Sequence, residues 1–241
     1  MACVRTPTFP RALIVNDTTR EITRRRRSDK PSASEPVVLP KWVIDATRLA
    51  GRAISRLLWR INYIGLENVP TSGGFIIAAN HQTYMDPFWI GFPIARPIRF
   101  LAWNKIFDWP VVGRLASLLG AWPLEIEGSD PSAIRRSLYW LKGGGGVVIF
   151  PEGGRGMPDG AMIRFKPGAV RMALEAGVPI LPVTIRGAHR VWARTQRFPR
   201  LAKVEIVYHP LFQMDAHDRT EARAHARHAS ERLTEIIGSA L

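Results

Sequence analysis

A single cysteine, Cys3, is all that the 241 residues contain. It lies in a stretch with neither a strand nor a helix period. A disulfide, a thiolate nucleophile in a folded site and a cysteine-based metal site are therefore excluded. No apolar run approaches the roughly 20 residues of a membrane-spanning helix, and the first residues carry no signal-peptide core. The chain on this ground reads as intracellular. It has no G-x-S-x-G elbow, no Walker-type phosphate loop and no histidine pair at zincin spacing. No metal is expected. His217, His225 and His228 read as solvated, and His189 and His209 have no evident partners.

Acidic residues are also scarce, 20 against 34 Lys and Arg, for a net charge of +14. Residues 1–40 hold eight basic and four acidic residues, or +4, so the remaining +10 is spread over the rest. A basic globular chain meets nucleic acid, anionic membrane or acidic partners. Arg24–Arg27 is an unbroken basic run, but no nucleic-acid reading motif or basic-aromatic platform accompanies it, so nucleic acid is not the expected partner.

At 46% hydrophobic, the chain can bury one ample core. Residues 1–40 are rich in Thr, Pro, Ser and Arg and are expected to be a disordered basic tail. Residues 41–61 turn helical. Trp42, Leu49, Ala53, Ile54, Leu57, Leu58 and Ile61 make a broad apolar face, and Arg48, Arg52, Arg56 and Arg60 follow at intervals of four. Such a helix suits a membrane interface, with its arginines on lipid phosphates, or a packed position with a solvated face.

Residues 62–241 form the expected folded domain. Thr71–Gly74 gives a hairpin-like turn signal. Apolar runs at Phe75–Ala79, Ile98–Trp103, Ala121–Ile126, Val147–Phe150, Val178–Ile185 and Lys203–Tyr208 read as strands. Helical stretches follow at Phe88–Ala95, Lys105–Leu119 (broken near Pro110), Asp130–Lys142, Pro167–Ala176 and Arg219–Ile237. The alternation predicts a single α/β domain: a mixed, mostly parallel sheet flanked by helices, preceded by the amphipathic helix. Sites in such sheets form in loops beyond strand ends.

Two of those loops carry chemistry. Asn80-His81-Gln-Thr-Tyr-Met-Asp86-Pro87 puts a histidine and a carboxylate five residues apart after a buried strand. The carboxylate can fold back on the imidazole, fixing its tautomer and making the other nitrogen a base; equally, Asp86 can cap the next helix with Pro87 as first helical residue. The second loop, Pro151-Glu152-Gly153-Gly154-Arg155-Gly156, combines close-approach glycines with a planar cation, which suits a phosphate, a carboxylate or an oxyanion. A Gly-rich turn with a solvated arginine has the same composition.

Taken together, these loops resemble the glycerolipid acyltransferases, the PlsC-type lysophosphatidic acid acyltransferase superfamily. Asn80-His81-x4-Asp86-Pro87 and Phe150-Pro-Glu-Gly-x-Arg155 are similar to that family's first and third blocks. Phe100-Leu-Ala-Trp-Asn-Lys105, with Pro110 and Gly113, resembles the second, and Val178-Pro-Ile-Leu-Pro-Val183 the fourth. Lys166-Pro-Gly168 stands where the family has Lys-x-Gly.

The resemblance, from about Ile61 to Tyr208, implies acyl transfer without a covalent acyl-enzyme. His81 would be general base on the acceptor hydroxyl and Asp86 would orient it. Glu152, Gly153, Gly154 and Arg155 would bind the acceptor, with Arg155 and Lys105 on its phosphate, and backbone amides near Gly153 would stabilise the oxyanion. No cofactor is implied; acyl-CoA or acyl-carrier protein is the co-substrate. The acceptor is a lysolipid, 1-acylglycerol-3-phosphate first, and the protein would be peripheral on the cytoplasmic side of the membrane. The third block departs from the family's F-P-E-G-T-R-S, with Gly154 and Gly156 in place of Thr and Ser. The arginine that commonly ends the second block is missing from Gly120–Ile126. Both losses weaken phosphate binding and leave open a different lysolipid acceptor, or a lipid-binding protein without catalysis.

Overall fold

Seven short strands with apolar, β-branched interiors build one sheet in the computed structural model, which describes residues 39–125, 128, 130–214 and 222–241. Nearly all of the tail expected over 1–40 lies outside the described residues, as does residue 126. The strands are β1 (Asn62–Ile64), β2 (Phe75–Ala79), β3 (Ile98–Trp103), β4 (Ala121–Leu124), β5 (Gly146–Ile149), β6 (Ile180–Arg186) and β7 (Glu205–Tyr208). Their order across the sheet is β1-β7-β6-β2-β5-β3-β4, and every pairing is parallel except β6 with β7.

The helices are α1 (Lys41–Trp59), α2 (Asp86–Gly91), α3 (Pro110–Leu118), α4 (Pro131–Lys142), α5 (Gly168–Ala176), α6 (Ala188–Trp192) and α7 (Ala222–Gly238). Two apolar layers cover the two faces of the sheet. Phe75, Ile77 and Ala79 of β2 point into one, with Trp89, Ile90 and Tyr208. Ile76 and Ala78 point into the other, with Val170, Leu233 and Ile237. All five β2 side chains are fully buried, as a central parallel strand with no polar face requires.

Two expectations are corrected, and two elements were not expected. Thr71–Gly74 turns no hairpin: β1 pairs with β7, three strands away from β2. β1 and α6 carry too few residues to show a period, so the alternation did not reveal them. Helix α1 ends at Trp59 rather than Ile61, because Arg60 takes the left-handed conformation (φ 48°) and Ile61 enters the core.

The packing contacts of α1 set what it exposes. Its inward side is narrow: Ser55 is buried, a Cβ on Gly51 would come within 2.4 Å of the Phe92 ring, and Arg48 donates to the carbonyls of Ala95 and Arg96. Its apolar stripe faces outward, with Trp42 74%, Leu49 73% and Leu57 81% exposed. None of the described helices is long and apolar enough to cross a membrane.

Candidate active site

Three neighbouring parallel strands, β5, β2 and β6, end on the same edge of the sheet. Their loops therefore leave side by side, and both chemistry-bearing loops are among them. Asn80, fully buried, fastens β2 to β6 at this point: Nδ2 donates to the Ile185 carbonyl at 2.8 Å, and Oδ1 accepts the Ile185 amide at 2.7 Å. The next residue, His81, is thus held at a fixed height above the sheet.

The chain then curls so that Asp86, fully buried, turns its carboxylate back on the loop. Oδ2 accepts from His81 Nδ1 at 2.9 Å and from the amides of Gln82 and Thr83; Oδ1 accepts the Thr83 hydroxyl at 2.7 Å. A carboxylate only accepts, so Nδ1 carries a proton, and in the neutral imidazole the lone pair is on Nε2. Asp86 makes no cap to the amides of α2; the helix begins on Asp86 itself, and all of the carboxylate's bonds go backwards. The spacing had allowed both uses, and the tight Gln82–Met85 turn selects one.

The imidazole is supported on its face by Phe150, the residue after β5. The rings stack at 4.1 Å between centroids with 22° between planes. The His81 side chain stays 17% exposed, enough for a reactant to reach it. A nitrogen base with a fixed tautomer, a buried carboxylate behind it and an open edge can remove a proton from a hydroxyl.

Glu152 also closes on this loop. Its Oε1 accepts the His81 amide and its Oε2 the Ile163 amide, both at 2.7 Å. Burial raises the Glu152 carboxyl above its ordinary pKa, while the two amides pull against that. Gly156 N–H returns the favour by donating to the His81 carbonyl at 2.6 Å. Both oxygens of Glu152 are thus engaged by the backbone, which makes it a brace between the loops.

Gly153 is left-handed (φ 70°), and a Cβ there would meet the Lys166 ammonium at 2.8 Å, so Lys166 lies over the glycine loop. Gly154 has open space beside it. Gly156 does not: a Cβ would lie 2.9 Å from the Ala161 carbonyl oxygen. The Arg155 guanidinium lies 3.9 Å from the centre of the Tyr84 ring and donates to the Tyr84 hydroxyl at 3.1 Å. Tyr84 meets Trp192 edge-on at 5.7 Å. Lys105 is set apart, beyond the end of β3, two strands from β2, with its ammonium 5.3 Å from the Trp103 ring centre.

Sequence reasoning missed four supports: Phe150, Gln82, Thr83 and Tyr84. Gln82 joins the histidine loop to the Gly160 carbonyl and the His189 amide. Thr83 and Tyr84 stood inside the quoted motif as unspecified positions, and only the turn's geometry assigns them work. His209, which had no evident partner, lies 2.8 Å from the Thr184 hydroxyl. Among the described residues, no three His, Cys, Asp or Glu side chains gather to hold a metal.

A model of the acyltransferase family matches residues 60–186, more than half of the chain. The 1-acyl-sn-glycerol-3-phosphate acyltransferase of Bacillus subtilis is 30% identical over 150 residues, 62% of this chain and 72% of that protein. The chloroplastic 1-acyl-sn-glycerol-3-phosphate acyltransferase of Arabidopsis thaliana is 32% identical over 136 residues, 55% of this chain. The match spans only 38% of that plant protein's length. The crystal structure of PlsC from Thermotoga maritima, a 1-acyl-sn-glycerophosphate acyltransferase, superposes with a TM-score of 0.63 at 26% identity, covering 83% of this chain and 79% of that one.

Proposed function

The chain belongs to the acyltransferase family, and from that premise we propose that it moves a fatty acyl group from an acyl thioester to a hydroxyl of a lysolipid, in phospholipid biosynthesis. The observation that carries this reading is the His81 Nδ1–Asp86 Oδ2 contact of 2.9 Å, which makes Nε2 the basic nitrogen of the neutral imidazole, at an open edge.

In the proposed reaction, Nε2 of His81 takes the proton of the acceptor hydroxyl as its oxygen attacks the thioester carbonyl. Asp86 compensates the charge that appears on the imidazole. The tetrahedral oxyanion is met by backbone N–H groups of the glycine loop. The amide of Gly153 is engaged by the Phe150 carbonyl and that of Gly156 by His81, so the amides of Glu152, Gly154 and Arg155 are the donors left for it. Collapse breaks the C–S bond, and the imidazolium returns its proton to the leaving thiolate. No acyl-enzyme is formed.

Arg155, against Tyr84 of the histidine loop, and Lys166, against Gly153, supply positive charge to the two loops, which supports an acceptor with a phosphate; 1-acylglycerol-3-phosphate, the substrate in the relatives' names, is the first candidate. Glu152 acts through the loops it ties together. The donor is acyl-CoA or acyl-carrier protein. The exposed apolar face of α1 and the surplus of positive charge support a peripheral position on an anionic bilayer, on its cytoplasmic side. The test is transfer from each donor to a panel of lysolipids with and without a phosphate. Turnover on none of them would overturn the proposal.

A further inference from the structure

A second stretch of surface combines exposed apolar side chains with cations, and it lies beside the candidate site. Between α6 and β7 the chain runs from Ala193 to Val204 with Arg194, Arg197, Arg200 and Lys203 and no acidic residue. Phe198 is 70% and Leu201 76% exposed. Lys203 pairs with Glu205 at 3.2 Å.

The segment is pinned while these side chains point outward. The Arg200 amide donates to the Val191 carbonyl at 2.8 Å, and Trp192 Nε1 to the Gln196 carbonyl at 3.1 Å. Its far end is fastened to the last residue of α1: Trp59 Nε1 donates to the Arg200 carbonyl at 3.1 Å, and the Val204 amide to the Trp59 carbonyl at 3.2 Å. Its near end reaches the glycine loop, where Arg194 donates to the Arg155 carbonyl at 3.4 Å. The segment therefore connects the end of the helix whose apolar stripe is exposed with the loop that carries the acceptor's proposed cation.

We propose that residues 194–203 are a second membrane contact, which seats Phe198 and Leu201 in the acyl boundary of an anionic bilayer and places Arg194, Arg197 and Arg200 on its phosphates. The apolar pair favours a bilayer over an acidic protein, because an acidic surface offers the arginines partners but leaves Phe198 and Leu201 in water. Two contacts, α1 and this segment, would fix the orientation as well as the attachment of the protein, with the mouth of the site turned to the lipid. This inference rests on the reading that the acceptor is a lipid.

The test is flotation of the full chain with phosphatidylcholine vesicles, with and without phosphatidylglycerol. Phe198→Ser with Leu201→Ser is expected to lower partitioning into the anionic vesicles by about tenfold or more, with an unchanged thermal melt. Arg197→Gln with Arg200→Gln is expected to abolish the preference for phosphatidylglycerol over phosphatidylcholine. In both variants, transfer to a short-chain lysolipid dissolved as monomers should stay at the wild-type rate. Wild-type partitioning by both variants would overturn the inference. So would unchanged partitioning with a selective loss of turnover from acyl-carrier protein, which would assign the segment to an acidic protein. Flotation reads the contact without catalysis, so a wild-type protein that binds vesicles but transfers nothing contradicts the proposed reaction and leaves this contact standing.

Discussion

The His81 amide donates to Oε1 of Glu152 at 2.7 Å, so the residue proposed as base is held from the end of the neighbouring strand as well as from its own loop. Glu152→Ala leaves the half-buried amides of His81 and Ile163 without their partner, at up to about 1–3 kcal/mol each. Displacement of the imidazole should lower kcat by about 10²-fold with little change in the acceptor KM. Steady-state kinetics decide this, and a change in KM alone would return Glu152 to acceptor binding.

The same carboxyl gives a pH dependence with a defined sign. Burial pushes it above its ordinary pKa of 4.5. The folded chain then holds this proton more tightly than the unfolded chain. The stability it contributes is fully present below about pH 4.5 and lost as pH rises through the folded value. Glu152→Gln does not titrate. Wild-type melting temperature minus that of the variant should therefore fall between about pH 4 and pH 7; a difference that grows over this range would mean that the two amides outweigh burial.

Asp86 gathers four donors, and the two replacements should separate its roles. Asp86→Asn keeps an oxygen for the loop but removes the charge behind the imidazole. It should lower kcat by about 10²-fold or more and spare the fold. Asp86→Ala orphans the Gln82 and Thr83 amides and should also lower the melting temperature. An Asn variant with the wild-type kcat would contradict the proposed part of Asp86 in catalysis.

The two glycines that replace the family's Thr and Ser should not behave alike. Gly154 has room for a side chain, so Gly154→Thr restores a hydroxyl beside Arg155 and should lower the KM for a phosphate-bearing lysolipid. Gly156→Ser drives a Cβ to within 2.9 Å of the Ala161 carbonyl oxygen and should damage the loop. Measured KM and melting temperature separate the two, and equal effects would contradict this reading of the loop.

The central strands could be read from the chain because each is a short, unbroken apolar run between turn residues; β2 and β3 begin and end where the apolar runs do. β1 and α6 could not, since three and five residues are too few to display a period. The turn at Thr71–Gly74 looked local because turn residues report a reversal of the chain and nothing about the strand it later pairs with. His81 and Asp86 were legible from their spacing and from the resemblance. The direction of the Asp86 carboxylate was not, since a cap and a backward contact require the same residue type at the same position. Phe150 and Tyr84 were hidden for another reason: aromatic residues beside a strand end read as core, and only the juxtaposition of loops makes one a floor for the imidazole and the other a platform for Arg155.

The base at His81 is the element on which the proposed reaction depends, and His81→Ala tests it. Acyl-thioester cleavage is followed with and without 1-acylglycerol-3-phosphate, and a thermal melt is run on the same samples. The variant should keep its fold and lose acceptor-dependent cleavage by about 10²–10⁴-fold. Wild-type rates in the folded variant would contradict the mechanism outright.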